Sequence, residues 1–195
     1  MARISSLCVY CGSAGESAPL YRAMAETLGR ILAAHKVRLV YGGGGIGLMG
    51  ALARSARAHG GEVTGIIPGF LVVPEVGGTP GGDMIVVATM HERKQKMAEL
   101  ADAFAILPGS IGTLDEAIEI ITWRQLGLHD KPILLVDQDG YWQPLLAQMR
   151  VFIEKGFAKP WLWELFHVVP GVEDVLPTLE ALPPPVPGRR ALDRG

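Results

Sequence analysis

Seven short runs of apolar, mostly β-branched residues recur along the chain, at 5–10, 38–41, 63–67, 84–88, 103–107, 133–136 and 167–169. They are nearly continuous rather than alternating, the pattern of strands covered on both faces. Between them lie segments with helical periodicity, at 19–35, 47–59, 91–101, 113–126, 141–155 and 172–182. In the first, Leu20, Met24, Leu28, Ile31 and Leu32 fall on one face of a 3.6-residue repeat. Strands alternating with helices predict an α/β protein. The expected form is a single doubly wound, Rossmann-like parallel sheet of about seven strands with helices on both faces. Residues 1–182 read as this one domain, and 183–195, containing proline and arginine, as a flexible tail.

Composition narrows the function classes. Of 195 residues, 49% are apolar and 19% charged, with a net charge of −2. That excludes disorder and gives no basic footprint for nucleic acid. The most apolar stretch, 63–76, is interrupted by Gly65, Pro68, Gly69 and Pro74. It is shorter than the ~20 residues of a spanning helix, so no membrane partner is expected. The first residues carry no long apolar run of a signal peptide, which reads as cytoplasmic. Cys8 and Cys11 form a Cys-x-x-Cys pair, but a zinc site needs about two more ligands and none lies nearby. They read as two small residues at the end of a buried strand, and no metal is expected.

Glycine and proline are in excess: 25 and 14 residues, about one in five, against ~12% on average. Two glycine clusters stand where a strand gives way to a helix, the place where open α/β sheets bind ligands. One is Tyr41-Gly-Gly-Gly-Gly-Ile-Gly-Leu-Met-Gly50. The other is Leu107-Pro-Gly-Ser-Ile-Gly-Thr-Leu-Asp-Glu116. Such turns bring backbone N–H groups and a positive helix end close to an anion, which suggests a phosphate-bearing ligand. No acid ends the strand after the first cluster, against a dinucleotide site, and no Gly-Lys-Ser/Thr follows, against a P-loop.

Two readings stand for the second cluster. Thr113 and Glu116 fit a Thr-x-x-Glu capping box, a purely structural role, with Asp115 a solvated first-turn acid. Alternatively, Glu116 is a reactive carboxylate beside an anion site. Between the clusters, Met90-His-Glu-Arg-Lys-Gln-Lys-Met97 crowds cations at a helix start, where the macrodipole disfavours them. Arg93 and Lys94 therefore read either as a solvated face or as partners for an anion or carboxylate. His91 fits a cap or packing position better than a general base.

Together these residues resemble the Lonely Guy (LOG) family, often labelled lysine decarboxylases. The motifs are Pro108-Gly-Ser-Ile-Gly-Thr-Leu-Asp-Glu116 and Met90-His-Glu-Arg-Lys94. They are supported by Cys11-Gly-Ser13, the first glycine cluster, Glu75, and Thr122-Trp123 with Gln125-Leu-Gly. The resemblance runs from about residue 6 to 182. It implies hydrolysis of the N-glycosidic bond of a purine nucleoside 5′-monophosphate, releasing free base and ribose 5-phosphate, without cofactor, by a homodimer. Carried onto this sequence, Glu116 and Arg93 are the catalytic pair. Glu75, Lys94, Gly109, Ser110, Ile111, Gly112, Thr113, Leu114, Asp115 and Thr122 are nucleotide contacts. Ser13, Gly43, Gly44, Gly45, Gly47 and Met49 are expected to face the same pocket. Ser110 departs from the family's second glycine, and would be strained if that position needed positive φ. Two other classes remain: a nucleotide-binding module without catalysis, and phosphoryl or phosphoribosyl transfer. The latter lacks the P-loop lysine and the paired acids before a Gly-Thr loop.

Overall fold

A computed structural model describes residues 4–72 and 83–183. Its strands are β1 (Ser6–Tyr10), β2 (Arg38–Tyr41), β3 (Val63–Pro68), β4 (Asp83–Val87), β5 (Ala103–Ile106), β6 (Ile133–Val136) and β7 (His167–Val169). They form one sheet in the order β4-β3-β2-β1-β5-β6-β7, with every neighbour parallel. The helices are α1 (Pro19–Ala34), α2 (Gly47–Ala58), α3 (Met90–Leu100), α4 (Ile111–Gln125), α5 (Gln143–Glu154) and α6 (Val175–Ala181). This is the doubly wound arrangement expected from the sequence.

The continuous apolar runs are explained by two cores, one on each side of the sheet. Leu7, Val9, Leu39, Ala105 and Leu134 face α1, α2 and α6 through Leu28, Leu32, Leu52 and Leu176. Cys8, Tyr10, Val40, Phe104 and Leu135 face α3, α4 and α5 through Met97, Ile120 and Met149. Each buried Leu or Ile contributes roughly 1.5–3 kcal/mol of transfer free energy. The edge strands break the pattern for lack of a neighbour: Val86 of β4 and Val168 of β7 are exposed. Cys8 and Cys11 are free, buried thiols that belong to opposite cores. Burial pushes both well above the ordinary thiol range, so they are packing residues.

Chain direction along the sheet reverses between β1 and β5, so the loops leaving these two strands open a crevice at their carboxyl ends. The other end is tied by Asp102. Its Oδ2 accepts from the N–H of Ser5 and Ser6 and from the Ser5 hydroxyl, at 2.7–2.9 Å. These bonds outweigh the opposing effect of burial and lower the Asp102 pKa.

Some boundaries differ from the sequence reading. α4 begins at Ile111 rather than 113, because Ser110 takes the extended N-cap conformation (φ −93°, ψ −158°). α5 begins at Gln143 rather than 141, after a 3-10 turn, Gln138–Gly140, that holds Asp139 at φ 57°. α6 is likewise preceded by a turn, Val172–Asp174. Of the expected tail, all but Pro183 lies outside the described residues.

Candidate active site

The crevice is a pocket of about 620 Å³ walled by the loops after β1, β2, β5 and β6, by α1, α2, α3 and α4, and by the end of β3 with Leu71 beyond it. Two helix N-termini approach it, and they differ. The first amides of α2 are already satisfied: Leu48 and Met49 N–H donate to the Gly12 carbonyl at 2.9 and 3.3 Å. Gly47 makes this approach possible. It has φ 59°, and a Cβ there would run into the Ser13 and Ala14 backbone. At α4, Ser110 makes no side-chain cap. The N–H groups of Ile111, Gly112 and Thr113 come before the first intrahelical donor, Leu114 N–H, which donates to the Ser110 carbonyl at 3.0 Å, and that end of α4 is open toward the pocket through Ser110, Gly112 and Thr113. The second glycine cluster thus offers an anion cradle, whereas the first is largely spent on packing. Ser110 sits at negative φ, so it replaces glycine without backbone strain.

The Thr113–Glu116 capping box, the first of the two readings, does not form, because the helix starts two residues earlier and Thr113 lies inside its first turn. Glu116 instead turns inward to Arg93. Arg93 Nη1 donates to Glu116 Oε1 at 2.5 Å, and the two residues are 5% and 4% exposed. The other guanidinium nitrogens are held as well: Nε donates to the Ile66 carbonyl at 3.2 Å and Nη2 to the Gly42 carbonyl at 3.4 Å. Gly42 is needed for this, since a Cβ there would overlap Arg93 Nη2. Glu116 Oε2 is also buried but has no hydrogen-bond partner. Burial raises the Glu116 pKa above the ordinary carboxylate value, while Arg93 pulls it down. A buried carboxylate oxygen without a partner, beside an open anion cradle, is costly unless a ligand or water meets it.

The solvated-face reading of α3 is excluded for Arg93 and Lys94, both of which are buried. The helix start is relieved by its own cap: Thr89 Oγ1 accepts from Glu92 N–H, and Glu92 Oε2 accepts from Ala88 N–H. Lys94 is not part of the pocket wall. Its Nζ bridges Asp115 Oδ2 at 3.0 Å and Glu119 Oε2 at 3.1 Å, fastening α3 to α4. Burial works against its charge, but the two carboxylates prevail and raise its pKa. Asp115 is therefore paired rather than simply solvated. His91 faces a separate hollow on the outer side of α3 and α4.

Of the other expected contacts, Ser13, Gly44, Met49, Gly109, Ser110, Gly112, Thr113, Asp115 and Glu116 line the pocket. Gly43, Gly45, Gly47, Ile111 and Leu114 flank it without lining it. Thr122 lies on the exposed side of α4, its hydroxyl donating to the Ile118 carbonyl. Glu75 lies outside the described residues. Sequence reading missed Ser17 and Tyr21 of the α1 region and Tyr141 after β6, all of which line the pocket. Tyr141 carried a usable signal, since it follows a strand whose carboxyl end lies on the same edge of the sheet. Among the described residues, no cluster of His, Cys, Asp and Glu has the makings of a metal site, and no helix is long and apolar enough to cross a membrane.

A family model described as possible lysine decarboxylase matches residues 49–179. Cytokinin riboside 5′-monophosphate phosphoribohydrolase LOG5 of Arabidopsis thaliana is 42% identical over 182 residues, 93% of this chain and 80% of that protein. The probable cytokinin riboside 5′-monophosphate phosphoribohydrolase LOGL9 of Oryza sativa subsp. japonica is 44% identical, with the same coverage. Among solved structures, the molybdenum cofactor carrier protein of Chlamydomonas reinhardtii superposes with a TM-score of 0.68 at 22% identity, covering 91% of this chain and 97% of that one. The molybdenum cofactor binding protein of Rippkaea orientalis gives 0.69 at 19%, covering 93% and 98%. At such identity these two speak for the fold alone, whereas the first two matches speak for kinship: this chain belongs to the LOG family of cytokinin riboside 5′-monophosphate phosphoribohydrolases.

Proposed function

We propose that the protein hydrolyses the N-glycosidic bond of adenosine 5′-monophosphates, including N6-substituted cytokinin nucleotides, to free base and ribose 5-phosphate. The observation that carries this reading is the buried Arg93–Glu116 pair, with Glu116 Oε2 unpartnered beside the open end of α4. The 5′-phosphate would rest on the N–H groups of residues 111–113. The base would lie toward the apolar wall of Leu48, Met49, Ile67 and Leu71. That places the ribose near Glu116.

Positive charge develops at C1′ as the bond to the base lengthens, as in other glycoside hydrolyses. Ionised Glu116 stabilises that charge and orients water through Oε2. The C1′–N9 bond breaks with its electron pair going to the purine, and the water oxygen bonds to C1′. The water gives up a proton to Glu116, which releases it to solvent after the step, and the departing base takes one proton from solvent, so no net proton is gained or lost. Arg93, anchored at three points, fixes Glu116 and favours its ionised form, opposing the larger effect of burial. Incubation with isopentenyladenosine monophosphate or AMP, with chromatography of the products, tests the reading. Equimolar base and ribose 5-phosphate are expected.

The lysine decarboxylase label finds less support. That chemistry normally uses a lysine Schiff base with pyridoxal phosphate. Among the described residues no lysine lines the pocket, and Lys94 is bound by two carboxylates. A pure nucleotide binder is disfavoured by Glu116, since a carboxylate near an anion weakens binding.

The protein is further proposed to be a homodimer through the outer side of α4, where Ile118, Leu126 and Leu128 are exposed. A second copy on this face would bring Thr122 toward a neighbouring site, the contact that the single chain lacks. Light scattering of the purified protein tests this. The proposed compartment is the cytoplasm, where charged nucleotides are made and retained.

A further inference from the structure

The turn that carries the anion cradle is tied down from two sides. Gly12 N–H, from the loop after β1, donates to the Pro108 carbonyl at 3.1 Å. Tyr141 Oη, from the start of the segment after β6, donates to the Gly109 carbonyl at 2.7 Å. Two successive carbonyl oxygens are thereby engaged just before the N–H groups that face the pocket. This matters because a peptide carries a donor and an acceptor pointing in opposite directions. A turn free to rotate about Gly109 would present C=O to an arriving phosphate in some of its conformers, and such a contact is repulsive.

Tyr141 is equipped to hold this bond although its ring is partly exposed. It packs edge-to-face on Tyr21 of α1, with ring centroids 5.5 Å apart, and on Trp142 at 5.0 Å. Both Tyr21 and Tyr141 line the pocket. The hydroxyl therefore comes from a side chain whose orientation is fixed by packing with α1.

We propose that Tyr141 is a positioning residue for the phosphate end of the substrate: its hydroxyl holds the Gly109 carbonyl so that the turn 109–112 meets the ligand with donors only, which favours phosphorylated over unphosphorylated ligands. This rests on the nucleotide reading above. The loss of one such hydrogen bond, about 1–1.5 kcal/mol, corresponds to roughly a 5- to 12-fold weakening of phosphate-dependent binding.

The test compares the wild-type protein with Tyr141→Phe, which keeps the ring and its packing. Calorimetry with ribose 5-phosphate needs no turnover. The expected result is a Kd raised about 5- to 12-fold, with the affinity for adenine unchanged and the melting temperature lower by only a few degrees, since the same bond is lost from the free protein. With AMP, KM is expected to rise by the same factor while kcat stays within about twofold. An unchanged Kd for ribose 5-phosphate, or equal weakening of ribose 5-phosphate and adenine, overturns the proposal. If the wild type binds ribose 5-phosphate and Tyr141→Phe weakens it, but no base is released from AMP, Tyr141 keeps its role and the hydrolytic reading fails.

Discussion

The guanidinium of Arg93 occupies the space that a side chain at Gly42 would need. A Cβ at Gly42 would overlap Arg93 Nη2, whose bond is to the Gly42 carbonyl itself. The first glycine of the run after β2 therefore serves the Arg93–Glu116 pair rather than a phosphate. Gly42→Ala should displace Arg93 and loosen Glu116. Misplacing a catalytic group by about 1 Å can cost about 100-fold in rate, and a loss of that size in kcat is expected while the protein still folds. Gly15→Ala, where a Cβ would meet nothing within 4 Å, serves as the control. Equal activity of the two variants would detach Gly42 from catalysis.

Arg93→Ala should be costlier to the fold. It strands the Glu116 carboxylate and leaves the Ile66 and Gly42 carbonyls without this donor. Breaking a buried pair from one side typically costs about 3–5 kcal/mol, readable by urea denaturation. Arg93→Lys should recover part of the stability but little activity, since an ammonium cannot reproduce the three-point fork.

Gly112 separates stability from binding. Nothing in the protein lies within 4 Å of a Cβ placed there, although the residue lines the pocket in the first turn of α4. Gly112→Ala should raise helix stability by up to about 1 kcal/mol. If the space belongs to the phosphate, the same variant should raise KM for AMP. A more stable protein with unchanged KM would move the phosphate elsewhere.

His129 makes stability depend on pH. Burial lowers its pKa, opposed by the Ile120 carbonyl; Arg124 and Lys131 add to the lowering, and Asp130 opposes it. Nδ1 accepts from the Lys131 N–H, so the proton sits on Nε2, facing the Ile120 carbonyl. The unfolded chain thus binds a proton at a higher pH than the folded one. Stability should fall as pH drops through the ordinary histidine value of about 6.5. His167, also lowered by burial, acts in the same direction. His129→Gln should reduce the difference in melting temperature between about pH 8 and about pH 5.5. An undiminished difference would assign it to other groups.

Much of this was legible in the sequence. Continuous apolar strands and intervening helical periods specify a parallel sheet covered on both sides, and the glycine clusters mark its ligand-binding edge. Glu116 was ambiguous because a local rule, the capping box, competes with a long-range one. Its partner Arg93 is 23 positions away, and only the packing of α3 on α4 brings them together. The unequal roles of the two glycine clusters were hidden for the same reason: the Gly12 carbonyl that satisfies α2 comes from the loop after β1, far away in sequence. Tyr141 was missed because a hydroxyl bonded to a backbone carbonyl leaves no motif, and its place after β6 was the one signal it carried. Lys94 shows the limit of position-by-position transfer, since its amine faces α4 rather than the pocket.

The most direct test of the central claim is the release of base from AMP by the wild type and by Glu116→Gln, with product chromatography and a thermal melt of both proteins. Glutamine preserves an acceptor for Arg93 but cannot take the water's proton. The account predicts equimolar adenine and ribose 5-phosphate from the wild type, and a rate at least about 100-fold lower from a folded Glu116→Gln. Folded wild type that releases no base from AMP or isopentenyladenosine monophosphate, or Glu116→Gln that releases it at the wild-type rate, would contradict it.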